Sequence, residues 1–270
     1  MNPSIKQSQK ATIVDVAIVG AGLVGVSLAV AMGQAGLNVA IFDRNAPSDM
    51  IKEVFDGRVT AISYASWQLF KAIGVSAPME EEGQPINNIR VSDGDAPVFL
   101  DFDHRTLGAD PLGLMVENRF IRSALFKGLN ELKSVTLYAP AVVAEVIQGG
   151  GLAEIILKDG TRFKSSLVVA ADGRASPLRE AAGIRTISAG YNQMGIVTTI
   201  EHEKDHLGIA HERFLTPGPF AILPLKGNRS SLVWAEKPQT TKALLALEED
   251  AFDCEIAERT GGFLGGVHAV

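Results

Sequence analysis

The chain has 270 residues, 46% hydrophobic and 21% charged, with 25 Lys and Arg against 31 Asp and Glu for a formal net charge of −6. That length suits one large or two intimate domains, the composition is that of a globular protein, and no run of Lys and Arg gathers into a nucleic-acid footprint. Cys254 is the only cysteine, which excludes internal disulfides and a cysteine-based zinc site and fits a reducing compartment.

Residues 1–11 are polar and read as a loose tail. No charged residue occurs from Val16 to Phe42, a length that could cross a bilayer, and Lys6 and Lys10 precede it as they would in a signal peptide. The stretch contains Gly20, Gly22, Gly25, Gly33 and Gly36, with Gln34 and Asn38, and a strand–turn–helix–strand unit explains it better. Val14–Val19 is an apolar run without alternation, as in a fully buried strand. Leu23–Ala35 reads as a helix ending at Gly36, and Val39–Phe42 as the next strand, giving a βαβ unit.

Further along, Ile62, Leu69, Phe70 and Ile73 lie near helical spacing, so Thr60–Ile73 is expected to be a helix capped by Gly74. Residues 76–113, rich in Pro and Gly, read as loop with two short strands at most. Asn118–Leu132 carries Phe120, Ile121, Ala124, Leu125 and Leu129 on one helical face. The period then changes to two: strands are expected at Val135–Tyr138, Val142–Ile147, Leu152–Leu157 and Thr161–Lys164, the last after the hairpin signal Asp159-Gly160. Leu167–Ala171 reads as a short buried strand ending at Asp172-Gly173. Strand-like segments at 194–200, 209–215, 219–225 and 230–235 suggest a second, antiparallel sheet. Thr240–Glu258 reads as a helix stopped by Gly261-Gly262.

Gly20-Ala21-Gly22-Leu23-Val24-Gly25 has the G-x-G-x-x-G form. In that form the first glycine permits a tight turn out of the strand, the second lets a pyrophosphate approach the backbone, and the third lets the helix pack on the strand. The helix N-terminus then offers unpaired N–H groups and a partial positive charge to the anion. An acidic residue should follow at the end of the second strand to accept ribose hydroxyls. Asp43 stands there, 18 residues after Gly25, with Arg44 beside it as a second candidate. A glycine trio alone is equally a structural turn; the strand before, the helix after and Asp43 make it a dinucleotide site. The fingerprint does not separate FAD from NAD.

Later segments carry a resemblance that does. Asp56-Gly57-Arg58-Val59-Thr60-Ala61-Ile62-Ser63 resembles the FAD-contacting arginine segment of para-hydroxybenzoate-hydroxylase-like flavin monooxygenases. Glu117-Asn118-Arg119-Phe120-Ile121-Arg122 is similar to their helix start whose arginine reaches the flavin side. Ala170-Ala171-Asp172-Gly173-Arg174 resembles their second fingerprint, where the Asp-Gly turn lies between FAD and the nicotinamide nucleotide. Within that family the likeness is to the ubiquinone-biosynthesis hydroxylases: His206–Phe214, Gly218–Leu225 and Ser230–Trp234 look like their substrate sheet.

The resemblance implies an α/β fold, with a Rossmann-like FAD-binding domain of the glutathione-reductase type over 12–183, residues about 76–113 of it partly loop or on the substrate side, and an antiparallel substrate sheet with the start of a following helix over 184–270. It implies FAD as cofactor and NAD(P)H as co-substrate, in an oxygen-dependent hydroxylation of a polyprenyl phenol. Contact with FAD is expected from Gly20, Ala21, Gly22, Leu23, Val24, Gly25, Asp43, Arg44, Arg58, Arg119, Asp172 and Gly173. Contact with substrate is expected from Phe214, Phe220, Ile222 and Pro224, whereas Trp234 is expected to pack. No side chain is assigned as a nucleophile, because the cofactor carries the chemistry. A cytoplasmic protein is expected, with peripheral contact at the inner membrane or with a multi-enzyme complex. Another flavin oxidoreductase, such as a polyprenyl reductase, remains open, as does a non-catalytic FAD-binding module. The halogenase sequence W-x-W-x-I-P is absent.

His202-Glu203-Lys204-Asp205-His206 matches H-E-x-x-H. Zinc chemistry would need both histidines on one helical face, whereas Val197–Ile200 before it favours strand and Gly208 follows, so a turn is expected and no metal. Gly94-Asp95-Ala96 opens like the family's third FAD motif but lacks its His and lies before the substrate sheet, so it reads as loop. The true third motif is expected beyond residue 270, in a longer protein.

Overall fold

The computed structural model describes residues 11–51, 56–94, 96 and 98–270. Most of the expected tail and Asp95 of Gly94-Asp95-Ala96 lie outside them. In chain order, β1 (Thr12–Val19), α1 (Leu23–Gln34) and β2 (Val39–Phe42) form the expected strand–helix–strand unit, and a short α2 (Pro47–Met50) follows. The helix expected over Thr60–Ile73 starts only at Tyr64, because β3 (Val59–Ser63) precedes α3 (Tyr64–Ala72). The residues read as the first helical turn instead fill a ladder, Thr60 opposite Val116 and Ile62 opposite Leu114.

Segment 76–113 is far more structured than its Pro and Gly content suggests. It holds α4 (Ser76–Glu82), β4 (Gln84–Ile86), β5 (Asn88–Asp93) and β6 (Phe99–Asp103) before β7 (Gly113–Glu117). Next come α5 (Asn118–Asn130), β8 (Val135–Tyr138), β9 (Val143–Ile147) and β10 (Ala153–Leu157). The strands expected at Thr161–Lys164 and Leu167–Ala171 are one, β11 (Arg162–Ala170), and Leu167 is exposed on it rather than buried. After α6 (Pro177–Ala181) come β12 (Met194–His202), β13 (Ile209–Leu215), β14 (Gly218–Leu225) and β15 (Arg229–Glu236). The single helix expected over Thr240–Glu258 is two, α7 (Pro238–Leu244) and α8 (Glu249–Thr260). Gly261, in the left-handed region at φ 73°, ends the second, and β16 (Val267–Ala269) follows.

The chain divides into two compact units. The first comprises the described residues up to 51, with Ile73–Val75 and Ile121–Ile187; the second comprises the remaining described residues. Segments 56–72 and 76–120 therefore fall in the second unit; of these, residues about 76–113 were expected partly on that side, and the rest with the nucleotide fold.

In the first unit the strand order is β8-β2-β1-β11-β10-β9. β8, β2, β1 and β11 run parallel, and β10 and β9 continue antiparallel. β2 and the Val16–Ile18 part of β1 are buried on both faces, which explains why these stretches read as unbroken apolar runs. Phe42 stacks on Tyr138, and Phe163 meets both rings edge to face, in the core that covers the sheet. α1 is a 12-residue element within this layer, and among the described residues no helix is long and apolar enough to cross a membrane.

In the second unit a seven-stranded sheet has the order β16-β12-β15-β14-β13-β5-β6, and a three-stranded sheet the order β3-β7-β4. The larger sheet was expected to be antiparallel; it is mixed, because β5 joins β13 in parallel. The alternation of β12–β15 sorts their side chains onto two faces. Ile196, Ile200, Phe220, Ile222, Leu232 and Trp234 form a core with Leu244 of α7 and Ile256 of α8. On the other face Ala210, Leu223 and Leu225 pack with Ile86 and Met115 of the small sheet.

Candidate cofactor site

The tip of β1 explains the glycine spacing atom by atom. Gly20 sits at φ 105°, and a Cβ there would strike the carbonyl of Ala171, so the turn needs glycine for both conformation and space. A Cβ on Gly25 would strike the carbonyl of Gly20, which is the close approach of helix to strand. Gly22 differs: it is exposed, and a Cβ there would meet no atom within 4 Å. Gly22 is the N-cap of α1, supplies no capping side chain, and is followed by a first turn without acidic residues. The first N–H groups of α1 therefore have no acceptor inside the helix and no capping side chain. Val24 is exposed, Leu23 half-buried and Ala21 buried.

Asp43 is anchored on both carboxylate oxygens. Oδ2 accepts the backbone N–H of Ala21 at 2.8 Å and Oδ1 that of Asn45 at 2.8 Å. Each oxygen retains a lone pair for a hydroxyl donor. Arg44 is exposed beside it. The Asp172-Gly173 turn adjoins the fingerprint, since the atoms that crowd Gly20 are the Ala171 carbonyl and the Asp172 nitrogen. Gly173 lies at φ 91°. Asp172 Oδ2 accepts the N–H of Leu178 at 3.4 Å, while its Oδ1 is buried with no hydrogen-bond partner. A buried acceptor without a donor is unusual and calls for a ligand group such as a hydroxyl.

In the second unit two arginine-bearing segments are fastened side by side. Val59 pairs with Glu117 across β3 and β7, Asn118 donates its N–H to the Arg58 carbonyl at 2.9 Å, and Thr60 Oγ1 donates to Asn118 Oδ1 at 2.6 Å. The Arg58 side chain is exposed, 3.9 Å from Asp56. Arg119 donates through Nε to Glu117 Oε2 at 2.7 Å and lies over the ring of Phe120. Glu117, 4% exposed, also takes Arg229 on Oε1 at 3.2 Å. Sequence reading quoted Glu117 but gave it no role; its place two residues before Arg119 at the end of an apolar strand was the available signal.

The four expected substrate residues separate. Phe214 is 51% exposed. Phe220 is fully buried and Ile222 nearly so, both under α7 and α8 in the core with Trp234, and buried Pro224 shares their face by alternation. Phe220, Ile222 and Pro224 are thus corrected from substrate-facing residues to residues of the helix-covered face; the strand's period of two turns Ala221 and Leu223 the other way. Trp234 packs, as expected, against Phe220 and Phe252, with the Arg259 guanidinium 4.2 Å from its ring.

His202 ends β12 and His206 lies in the turn after it. Their ring nitrogens are engaged: His202 with the Lys204 carbonyl at 2.8 Å and Ser230 Oγ at 3.0 Å, His206 with the Leu225 carbonyl at 2.7 Å and the Gly208 N–H at 3.0 Å. Burial lowers the pKa of His202, so it stays neutral at physiological pH. These histidines brace a turn.

Comparison with known proteins agrees with this geometry. The chain is 43% identical over 258 residues to ubiquinone hydroxylase UbiL of Rhodospirillum rubrum, covering 96% of this chain and 60% of that protein. It is 32% identical over 255 residues to 3-demethoxyubiquinol 3-hydroxylase of Escherichia coli, covering 94% and 65%. It thus spans a little under two thirds of the length of these relatives. Two crystal structures share the fold. PqsL of Pseudomonas aeruginosa has a TM-score of 0.78 at 17% identity, with 96% of this chain and 73% of that one aligned. The p-nitrophenol 4-monooxygenase PnpA of Pseudomonas putida has 0.73 at 17%, with 97% and 67% aligned. The sequence profile of the FAD binding domain matches residues 13–259, which take in the open helix terminus at Gly22, the anchored Asp43 and the orphaned oxygen of Asp172, and the chain belongs to that FAD-binding family.

Proposed function

We propose that this chain forms the FAD-binding and substrate-sheet portion of an FAD-dependent hydroxylase that adds oxygen to the ring of a polyprenyl phenol in ubiquinone biosynthesis, consuming NAD(P)H and O2. The observation that carries this reading is the 43% identity, across 96% of the chain, to a ubiquinone hydroxylase. Bound FAD would accept a hydride from NAD(P)H and activate O2. The N–H groups opening α1 would hold its pyrophosphate, with nothing at Gly22 to obstruct the approach. Asp43 would accept the adenosine ribose hydroxyls while keeping the Ala21 turn closed, and the free oxygen of Asp172 would accept a further hydroxyl. Arg58 and Arg119 would supply positive charge toward the flavin end, with Glu117 fixing the direction of Arg119. The exposed face of the seven-stranded sheet, at Phe214, would receive the aromatic ring and exclude water from it. A polyprenyl substrate would bring the protein to a membrane surface or a partner enzyme, as a peripheral visitor.

The test incubates the purified protein with NADH or NADPH, 18O2 and prenylated phenols. The expected results are a flavin absorption band and a product carrying one 18O atom. Flavin with nicotinamide oxidation but no oxygen transfer would move the protein to another class of flavin oxidoreductase. A colourless protein that takes up no FAD would overturn the reading.

A further inference from the structure

The registers of the seven-stranded sheet align one residue from each of six adjacent strands into a single row. Val197 of β12 stands opposite Val233 of β15, Val233 opposite Ala221 of β14, and Ala221 opposite Glu212 of β13. Glu212 stands opposite Val91 of β5, and Val91 opposite Leu100 of β6. Directly opposed residues project on the same face, so these six side chains form one line across the sheet. Val197, Val233 and Leu100 are exposed. Five of the six are apolar. The sixth is a carboxyl near the middle of the line, about 14 Å from the Val197 end at ~4.8 Å per strand.

Glu212 is half-buried, and no hydrogen bond or ion pair joins its side chain to any described residue. Its charged neighbours along β13, His211 and Arg213, project to the opposite face, toward the side of Phe220 and Ile222. β14 carries no charged residue, and the charges that β15 and β12 bring to this face, Arg229 and Glu201, stand four residues along the strands from Val233 and Val197, with Arg229 held by Glu117 of β7. β5 contributes Asp93 on the same face, opposite Phe214, a like charge that cannot pair with Glu212. Arg90 of β5 is opposite His211 and held by Asp101 of β6, again on the far face. Burial is the cause that raises the Glu212 pKa above its usual value, with no cation to offset it. A carboxyl placed against apolar neighbours and left without a donor costs stability, and such groups cluster at sites of function.

We propose that Glu212 holds the aromatic substrate by accepting a hydrogen bond from its phenolic hydroxyl, with the apolar row on either side receiving the ring and the prenyl tail. This rests on the reading of the protein as a phenol hydroxylase and adds the residue that fixes which ring carbon is presented. A phenol supplies the missing donor, and its ring and tail match the neighbours Ala221, Val233 and Val91. The carboxylate is the active form; protonation removes its negative charge and weakens its grip on the hydroxyl.

The experiment titrates purified flavin-loaded protein with 2-geranylphenol and with its O-methyl ether, following perturbation of the flavin spectrum, for the parent, Glu212→Gln and Glu212→Leu. Retained flavin absorbance reports that each variant is folded. The parent is expected to bind the phenol about ten- to a hundredfold more tightly than the ether, the worth of one hydrogen bond to a charged group. Glu212→Leu should lose that discrimination while still binding the ether, and Glu212→Gln should retain only part of it. The phenol affinity of the parent should rise with pH through a titration above the ordinary glutamate range, and this rise should be absent in both variants. A merely structural Glu212 would leave both the phenol-to-ether ratio and the pH profile as in the parent, overturning the inference while the hydroxylase reading stands. A parent protein that binds neither compound and oxygenates no prenylated phenol would overturn both.

Discussion

The backbone N–H of Ala21 donates to the carboxylate of Asp43 at 2.8 Å, across 22 residues of sequence. The acidic residue at the end of β2 is therefore part of the glycine turn, and it secures Asn45 as well. Asp43→Ala should act twice: it releases the turn and removes the acceptor offered to ribose. Loss of a charge-assisted hydrogen bond is worth about 1.5–3 kcal/mol, so FAD affinity should fall about ten- to a hundredfold or more. Flavin fluorescence titration and thermal melts without FAD separate the two effects. Unchanged melting with weakened FAD would assign Asp43 to the ligand alone.

Gly22 and Gly25 should respond oppositely to added side chains. Gly22→Val meets no neighbour and leaves a backbone that L-residues adopt, so a folded protein without flavin is expected. Gly25→Ala drives a methyl into the Gly20 carbonyl, and overpacking of this kind costs about 1–3 kcal/mol. Circular dichroism melts with and without FAD check this: the first variant should melt like the parent without FAD, the second at lower temperature in both conditions.

The nucleotide end of the candidate site was legible because its chemistry is local. A strand, a glycine turn, a helix and Asp43 fall within a few dozen residues, and each glycine answers a constraint in its own loop. Segment 76–113 was not legible, because β5 is stabilised by joining β13, over a hundred residues further on, and β6 by joining β5 in turn. Pro78 lies inside α4, Pro85 inside β4 and Gly113 at the start of β7, so breaker residues mark no loop there, and periodicity cannot reveal a distant partner. Phe220 and Ile222 were misjudged for a related reason. Alternation separates the two faces of β14, but only α7 and α8 decide which of them is covered. Glu212 was passed over because one glutamate in a β-rich segment is ordinary until five neighbouring strands show that it stands alone in an apolar row.

Glu117 should matter more than its charge suggests. It is buried, and its two oxygens hold Arg119 and Arg229. Glu117→Ala leaves both guanidinium groups without that partner in a partly buried setting, a loss of about 2–4 kcal/mol. Glu117→Gln keeps the volume and one acceptor, so it should lose less stability while still loosening Arg119. Denaturant unfolding gives the stability change and flavin titration the effect on the cofactor. A Glu117→Gln protein with parental stability and parental FAD affinity would show that Arg119 needs no such support.

His211 should make stability sensitive to acid. It lies 4.4 Å from the ring of Phe263, and its pKa is lowered from 6.5 to about 4, chiefly by burial and further by Arg90 and Arg213. The unfolded chain takes up this proton near pH 6.5, whereas the folded protein refuses it until about pH 4. Between those values the unfolded state binds more protons, so this residue's contribution to stability is full above pH 6.5 and is lost progressively down to about pH 4. Carboxylates titrate in the same window, so the parent's acid limb alone cannot be assigned to one group. The difference from His211→Phe isolates it, because the other groups are common to both proteins and phenylalanine keeps a ring against Phe263. Melting temperatures of the two should be compared from neutral pH to about pH 4, with His211→Gln as a second variant that removes the charge without the ring. The variants should gain on the parent steadily as pH falls. A difference that stays constant across the range would mean that His211 takes up its proton as readily in the folded protein as in the unfolded chain.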